Sequence, residues 1–161
     1  MAPIITVLAG GAMAADITEA LQCELQAPKA VKLGEAVALK FKLTNTSSDN
    51  LLLLRWNTPL EGWFASPFTV TRDGQWVSYQ GAMVKRFRPS HEDYVSLGAG
   101  KSISNTVNLA EGYQMDKAGV YEFVFNGRLQ DVQALASVDE LSSKRTMQTL
   151  KCETIKVTVT P

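Results

Sequence analysis

The stretch "RFRPSHEDYVSLGAG" (residues 86–100) contains the single histidine of the chain, His91, followed directly by Glu92. Zinc proteases with the pattern H-E-x-x-H carry a second histidine one helical turn later, so that both imidazoles bind one zinc ion while the glutamate acts as general base. Position 95 of this chain is Val95. A zinc ion would therefore be held almost wholly by carboxylates, which suit harder cations better. The pattern predicts no catalytic metal site and no cofactor.

The neighbours of His91 favour a loop over a helix interior. Pro89 and Ser90 precede the histidine, and the turn "GAG" (residues 98–100) follows it, and such residues interrupt helices. We therefore interpret His91 as a solvated loop residue. One loop histidine completes no Ser-His-Asp, Cys-His or metal cluster, so we predict that the protein is not an enzyme.

The composition predicts one ordinary folded domain without a global charge preference. The chain has 161 residues, of which 45% are hydrophobic and 20% are charged, enough to build a sizeable core. Sixteen basic residues balance sixteen acidic ones. No overall field draws the protein to nucleic acid or to an anionic membrane, so any specificity must come from local patches.

The first fifteen residues, "MAPIITVLAGGAMAA", carry no charge and end in an A-x-A-like pattern. This predicts a secretory signal peptide over residues 1–15, followed by a single domain over residues 16–161. The segment is too short for a membrane span, which needs about 18 apolar residues. A buried or fraying N-terminal strand is the alternative. We expect a secreted or periplasmic protein with no membrane association after cleavage.

The two cysteines lie in the apolar runs near the two ends of the domain, Cys23 in "LQCELQAP" and Cys152 in "LKCETIKVTVTP". In an oxidising compartment two such cysteines are expected to pair. The pattern predicts a structural disulfide that closes nearly the whole chain. Two separate buried thiols are the alternative.

The sequence pattern in the middle of the chain predicts short strands separated by turns. "AVALKFKLTN" alternates apolar and polar residues with the two-residue period of a half-buried strand. "LLLLRW" has no alternation and fits a central strand buried on both sides. "FTVTRDGQWVSY" contains Asp73-Gly74 as a hairpin turn. Further strands are predicted in "SISNTVNL", "GVYEFVFNGR" and "CETIKVTVT".

This order of strands predicts an all-β fold, an immunoglobulin-like antiparallel β-sandwich of about seven to nine strands. In "DKAGVYEF" (residues 116–123), Tyr121 stands where such folds carry a tyrosine corner, and Phe123 fills the inward position two residues later. The usual disulfide between the sheets is therefore not expected there.

A long insertion, "LQDVQALASVDELSSKRTMQT" (residues 129–149), precedes the last strand. It exceeds what a hairpin needs, which is typical of functional or mobile loops. Asp131 is predicted to cap a short helix whose exposed end carries Lys144 and Arg145 and whose apolar face is Leu135, Val138 and Leu141. An insertion that merely covers the open end of the sandwich is the alternative.

Residues 37–125 contain an ordered set of short motifs. These are "NTPLEG" (residues 57–62), "YQG" followed by "VKR" (residues 79–86), Tyr113, and the Gly119-x-Tyr121 pair. In order and spacing they resemble the N-terminal propeptide domain of the deuterolysin and peptidyl-Lys metalloendopeptidase family, the aspzincin proteases. In that family the domain precedes a zinc catalytic domain, keeps the zymogen inactive and assists its folding. Pro161 stands where the propeptide would end, so we expect a stand-alone prodomain.

The resemblance implies a secreted zinc metalloprotease as partner, bound across its cleft by an inhibitor or a folding assistant. If the protease cleaves beside lysine, a basic side chain would fit its acidic specificity pocket. The candidate contact residues are Trp63, Phe64, Lys85, Arg86, Arg88, Lys144 and Arg145. A general extracellular immunoglobulin-like binding or adhesion module has the same strand pattern and is the alternative, because this fold hosts many functions. An inhibitor of intracellular-type serine proteases built on a similar sandwich is a further alternative, but the export signal argues against that compartment.

Overall fold

The computed structural model describes residues 20–161, and the predicted signal peptide lies outside this range. The described chain is an all-β, immunoglobulin-like sandwich with almost entirely antiparallel pairing. Its strands, in chain order, are β1 (Leu21–Gln26), β2 (Ala30–Lys32), β3 (Ala38–Asn45), β4 (Leu51–Leu54), β5 (Phe68–Arg72), β6 (Gln75–Trp76), β7 (Tyr94–Leu97), β8 (Ser102–Asn108), β9 (Gly119–Phe125), β10 (Arg128–Leu129), β11 (Val132–Gln133), β12 (Gln148–Thr149) and β13 (Ile155–Thr160).

One layer of the sandwich is the five-stranded sheet β2-β13-β9-β5-β6. The three-stranded sheets β1-β3-β8 and β11-β4-β7 pack with it around one shared core, and β10 pairs with β12 as a short ribbon. Only β2 and β13 pair in parallel within the described residues. Four of the thirteen strands are two residues long. The nine longer strands agree with the predicted number.

Alternation along the strands places the core between the layers. In β3, Leu39, Phe41 and Leu43 are each 0% exposed, whereas the intervening residues are not buried. The opposite layer supplies Tyr121 and Phe123 of β9. The strand β4 is buried along its whole length, as its unbroken apolar run predicts: Leu51 and Leu53 belong to the core, and Leu52 and Leu54, on the opposite face, are also buried.

The predicted tyrosine corner is present. The Tyr121 hydroxyl donates a hydrogen bond of 2.7 Å to the carbonyl of Lys117, and the Tyr121 ring is fully buried. Gly119, at the start of β9, has φ of 149°, and a Cβ there would lie 2.5 Å from a carboxylate oxygen of Asp73. The glycine is therefore required by both its backbone angle and its close neighbour.

The predicted disulfide joins the two layers. Cys23 of β1 bonds to Cys152, which lies just before β13. The part of the chain that the structure describes also has one short α-helix, α1 (Leu109–Gly112), whose first turn is capped by the Asn108 side chain. No helix among residues 20–161 is long and apolar enough to cross a membrane.

Burial raises the pKa of three tyrosine side chains of the fold. Burial raises the pKa of Tyr113 to about 12, although its hydroxyl has hydrogen-bond partners at Ser66 and at the Phe68 backbone N–H. Burial likewise raises the pKa of Tyr121 and of Tyr79. In the unfolded chain a tyrosine titrates near 10.

We therefore expect the Tyr113 contribution to stability to be complete below pH about 10 and to disappear as the pH rises toward 12, because the unfolded state loses its proton first. Urea unfolding at pH 8 and at pH 11 measures the loss. Tyr113→Phe should lose less stability than the parent over this interval. An equal loss in the two proteins would show that Tyr113 does not titrate in this way.

Candidate functional site

A salt bridge to Arg86 anchors the surface segment between β6 and β7. Within residues 83–88, only Arg86 is not exposed. Its guanidinium lies 2.7 Å from a carboxylate oxygen of Glu61, whose side chain is only 8% exposed. The other oxygen of Glu61 accepts a hydrogen bond from the backbone N–H of Asn57. A charge-assisted hydrogen bond of this kind, made to a carboxylate largely shielded from water, holds the segment in position.

The buried ring of Trp56 lies under two arginines. The guanidinium carbon of Arg86 is 4.7 Å from the centre of the Trp56 ring, and that of Arg145 is 5.6 Å from it. Both distances are within the range of cation–π attraction. Because Arg145 belongs to the long insertion, Trp56 joins the insertion to the segment that carries Arg86.

A groove of about 780 Å³ opens between these two parts of the chain. Arg145, one of its lining residues, donates a hydrogen bond of 3.3 Å to the carbonyl of Phe87. The groove is lined by Phe87, Arg88, Pro89, His91, Tyr94, Leu141, Ser142, Ser143 and Arg145. This lining contains two arginines and a histidine but no carboxylate, so the groove favours negatively charged groups.

The long insertion is held by a buried carboxylate and forms no α-helix. Asp131 is 0% exposed and accepts hydrogen bonds from the Tyr94 hydroxyl, the Gln133 side-chain amide and the Thr146 backbone N–H. The prediction that Asp131 caps a helix is wrong. Besides the short strands β11 and β12, the insertion contains a single 3₁₀ turn at Val138–Glu140. Burial and the hydrogen bond to Asp131 raise the pKa of Tyr94.

The two predicted aromatic contacts have different surroundings. Trp63 is half-buried, donates a hydrogen bond of 3.0 Å to the Asn108 carbonyl and meets the ring of Tyr113 edge-on. It is part of the packing. Phe64 is 42% exposed and its ring centre lies 5.9 Å from the guanidinium of Arg86. Phe64 therefore belongs to the same surface as the basic residues.

The predicted basic residues are only partly brought together. Lys85 and Arg88 are exposed on either side of the anchored Arg86, and Arg145 reaches the same segment. Lys144 is also exposed, but it lines a separate shallow depression on the insertion with Val132 and Thr146. The structure thus places Arg145, and not Lys144, beside the segment.

His91 lies at the rim of the groove, on a 3₁₀ turn at His91–Asp93 that leads into β7. Its side chain is 59% exposed, and its Nδ1 is 3.9 Å from a carboxylate oxygen of Asp139. Val95 lies within β7, so the helix required by the zinc-protease pattern is not formed. Across residues 20–161, no three or more His, Cys, Asp or Glu side chains are grouped to hold a metal ion.

Sequence reasoning did not single out two aromatic residues of this surface. Phe87 is 86% exposed and stands between Arg86 and Arg88, and Trp56 is the ring on which the arginines stack. The signal for Phe87 was available in "AMVKRFRPS", where apolar and basic residues share a stretch bounded by Gly81 and Pro89. Large apolar residues in such a loop have no strand face on which to be buried.

Comparison with known proteins gives one related sequence and a weak structural likeness. No family model matches the chain. An extracellular protease of Aeromonas hydrophila is 41% identical over 86 residues, which are 53% of this chain and 24% of that protein. The chain thus matches only about a quarter of that protease.

A solution NMR structure of a CARDB domain from Pyrococcus furiosus covers 88% of this chain and 94% of its own, with 14% identity and a TM-score of 0.38. The crystal structure of that domain in complex with di-metal ions covers 86% of each chain, again with 14% identity and a TM-score of 0.36.

Proposed function

We propose that this protein is a secreted or periplasmic, prodomain-like partner of a secreted zinc metalloprotease of the aspzincin type. It binds the protease across its active-site cleft and inhibits it, or assists its folding. The observation that carries the proposal is the similarity of half of the chain to a stretch of an extracellular protease. The disulfide supports an oxidising compartment outside the cytoplasm.

The surface around Arg86 supplies the contacts in this proposal. Phe64 and Phe87 offer exposed apolar area, and Lys85, Arg88 and Arg145 surround them with positive charge. Aromatic and arginine side chains at the centre of an interface contribute most of the binding energy. A rigid sandwich seated by this surface would exclude both the peptide substrate and the water bound to the zinc ion of the partner.

We expect the purified protein to inhibit the secreted, active form of the Aeromonas hydrophila extracellular protease at a one-to-one ratio and reversibly. A casein-cleavage assay with increasing amounts of the protein measures this. Thermolysin and trypsin serve as control proteases and should keep their activity. If neither the Aeromonas protease nor a peptidyl-Lys metalloendopeptidase is inhibited, a general extracellular binding module becomes the better description.

A further inference from the structure

Three large apolar side chains are exposed within one short segment. Phe87 is 86% exposed, Met83 is 73% exposed and Val84 is 48% exposed. Single exposed apolar residues are common on soluble proteins, but a contiguous group of them with a charged rim marks an interaction site. We call residues 83–88 the basic-apolar loop, because Lys85, Arg86 and Arg88 are interspersed with these apolar residues.

The backbone of the basic-apolar loop has unused hydrogen-bond donors. Its first part is docked by the Val84 N–H, which donates a bond of 3.2 Å to the Phe64 carbonyl. Within residues 20–161, the backbone N–H groups of Lys85, Phe87 and Arg88 donate to no backbone carbonyl. The loop also lies outside every helix and strand. These donors are therefore available to the carbonyl groups of a bound partner.

The loop is nevertheless held in place from within. Arg86 turns inward to Glu61 and Trp56, and Arg145 binds the carbonyl of Phe87. Just beyond Pro89, the Ser90 backbone N–H donates a bond of 2.7 Å to the Asp93 carboxylate. A loop fixed in this way loses little conformational entropy on binding, which favours affinity.

From these observations we propose that the basic-apolar loop enters the active-site cleft of the protease and that the Phe87 side chain is its central anchor. The inference rests on the proposed function and identifies the contact within it. The cleft that receives the loop has an apolar pocket for Phe87 and acidic residues around that pocket. The acidic residues complement Lys85, Arg88 and Arg145, which lie near Phe87, and the adjoining groove, which has no carboxylate in its lining. Arg86 is a positioning residue, since its guanidinium is engaged within the protein.

Phe87→Ala is expected to raise the inhibition constant against the Aeromonas protease about 30-fold or more, the effect of losing a central interface anchor. The matched control is Trp76→Ala, because Trp76 is 79% exposed but lies in the β5–β6 hairpin, outside the loop. The control should inhibit as the parent does. Both variants remove an exposed ring, so their melting temperatures should stay close to that of the parent.

Hydrogen exchange provides an independent measurement on the same complex. The amides of residues 85–88 should exchange rapidly in the free protein and become protected when the protease is bound. If the parent inhibits while Phe87→Ala inhibits equally well, or if these amides stay unprotected, the loop is not the contact although the proposed function stands. If the parent inhibits neither the Aeromonas protease nor a peptidyl-Lys metalloendopeptidase, the proposed function and this inference both fail.

Discussion

Removal of the Cys23–Cys152 disulfide is expected to lower the free energy of unfolding by about 4 to 5 kcal/mol. The two cysteines are 129 residues apart, so the bridge restricts almost the whole unfolded chain. In the chain-entropy model the stabilisation grows with the length of the closed loop. The bridge also links β1 to the segment just before β13, so its loss removes a covalent tie between two sheets while β1 remains paired with β3.

Urea unfolding with and without a reducing agent tests this expectation. The double variant Cys23→Ser, Cys152→Ser should resemble the reduced parent, and its unfolding should not respond to the reducing agent. This insensitivity is the control for any direct effect of the reductant. If the oxidised and reduced parent unfold at the same urea concentration, the bridge contributes nothing measurable to stability.

Strands with a regular pattern of apolar residues could be predicted from the sequence, because the residues that determine them are close together along the chain. The two-residue alternation in β3 places Leu39, Phe41 and Leu43 on one face, and all three are buried. The Asp73-Gly74 turn and the Tyr121 corner depend likewise on a few adjacent residues. None of these predictions required information about residues distant in the sequence.

The insertion could not be predicted in the same way, because distant residues determine its conformation. Asp131 was expected to cap a helix, a preference that acts within one turn. Its hydrogen-bond partners include Tyr94, in β7, and Thr146, at the far end of the insertion. Several hydrogen bonds to a buried carboxylate stabilise the fold by more free energy than one helix cap does. The tertiary contacts of Asp131 therefore determine its conformation.

The basic surface was predicted as a set of residues but not as an arrangement. The sequence contains Lys85, Arg86 and Arg88 in one stretch, and nothing local decides which of them turns inward. That choice is made by Glu61 and Trp56, which belong to the region before β5. Because Arg86 is drawn inward, Phe87 is left exposed beside it.

Asp131→Ala is expected to lower the free energy of unfolding by about 3 kcal/mol, because a buried carboxylate with several hydrogen bonds is removed. The Tyr94 hydroxyl, the Gln133 amide and the Thr146 N–H would all lose their acceptor. These three groups come from β7 and from both ends of the insertion. Residues 131–146 should therefore lose their fixed position before the sandwich itself unfolds.

The matched control for this variant is Asp139→Ala. Asp139 is in the same insertion, but its side chain is 86% exposed and its one ionic contact, with His91, is 3.9 Å long. Its replacement should change stability by less than about 0.5 kcal/mol. Urea unfolding gives the two free energies, and hydrogen exchange should show faster exchange over residues 131–146 in Asp131→Ala alone. If the two variants are equally stable and the amides of their insertions exchange at the same rate, Asp131 does not hold the insertion in place. In that case the contacts of Arg145 with the Trp56 ring and the Phe87 carbonyl keep Arg145 beside Phe87.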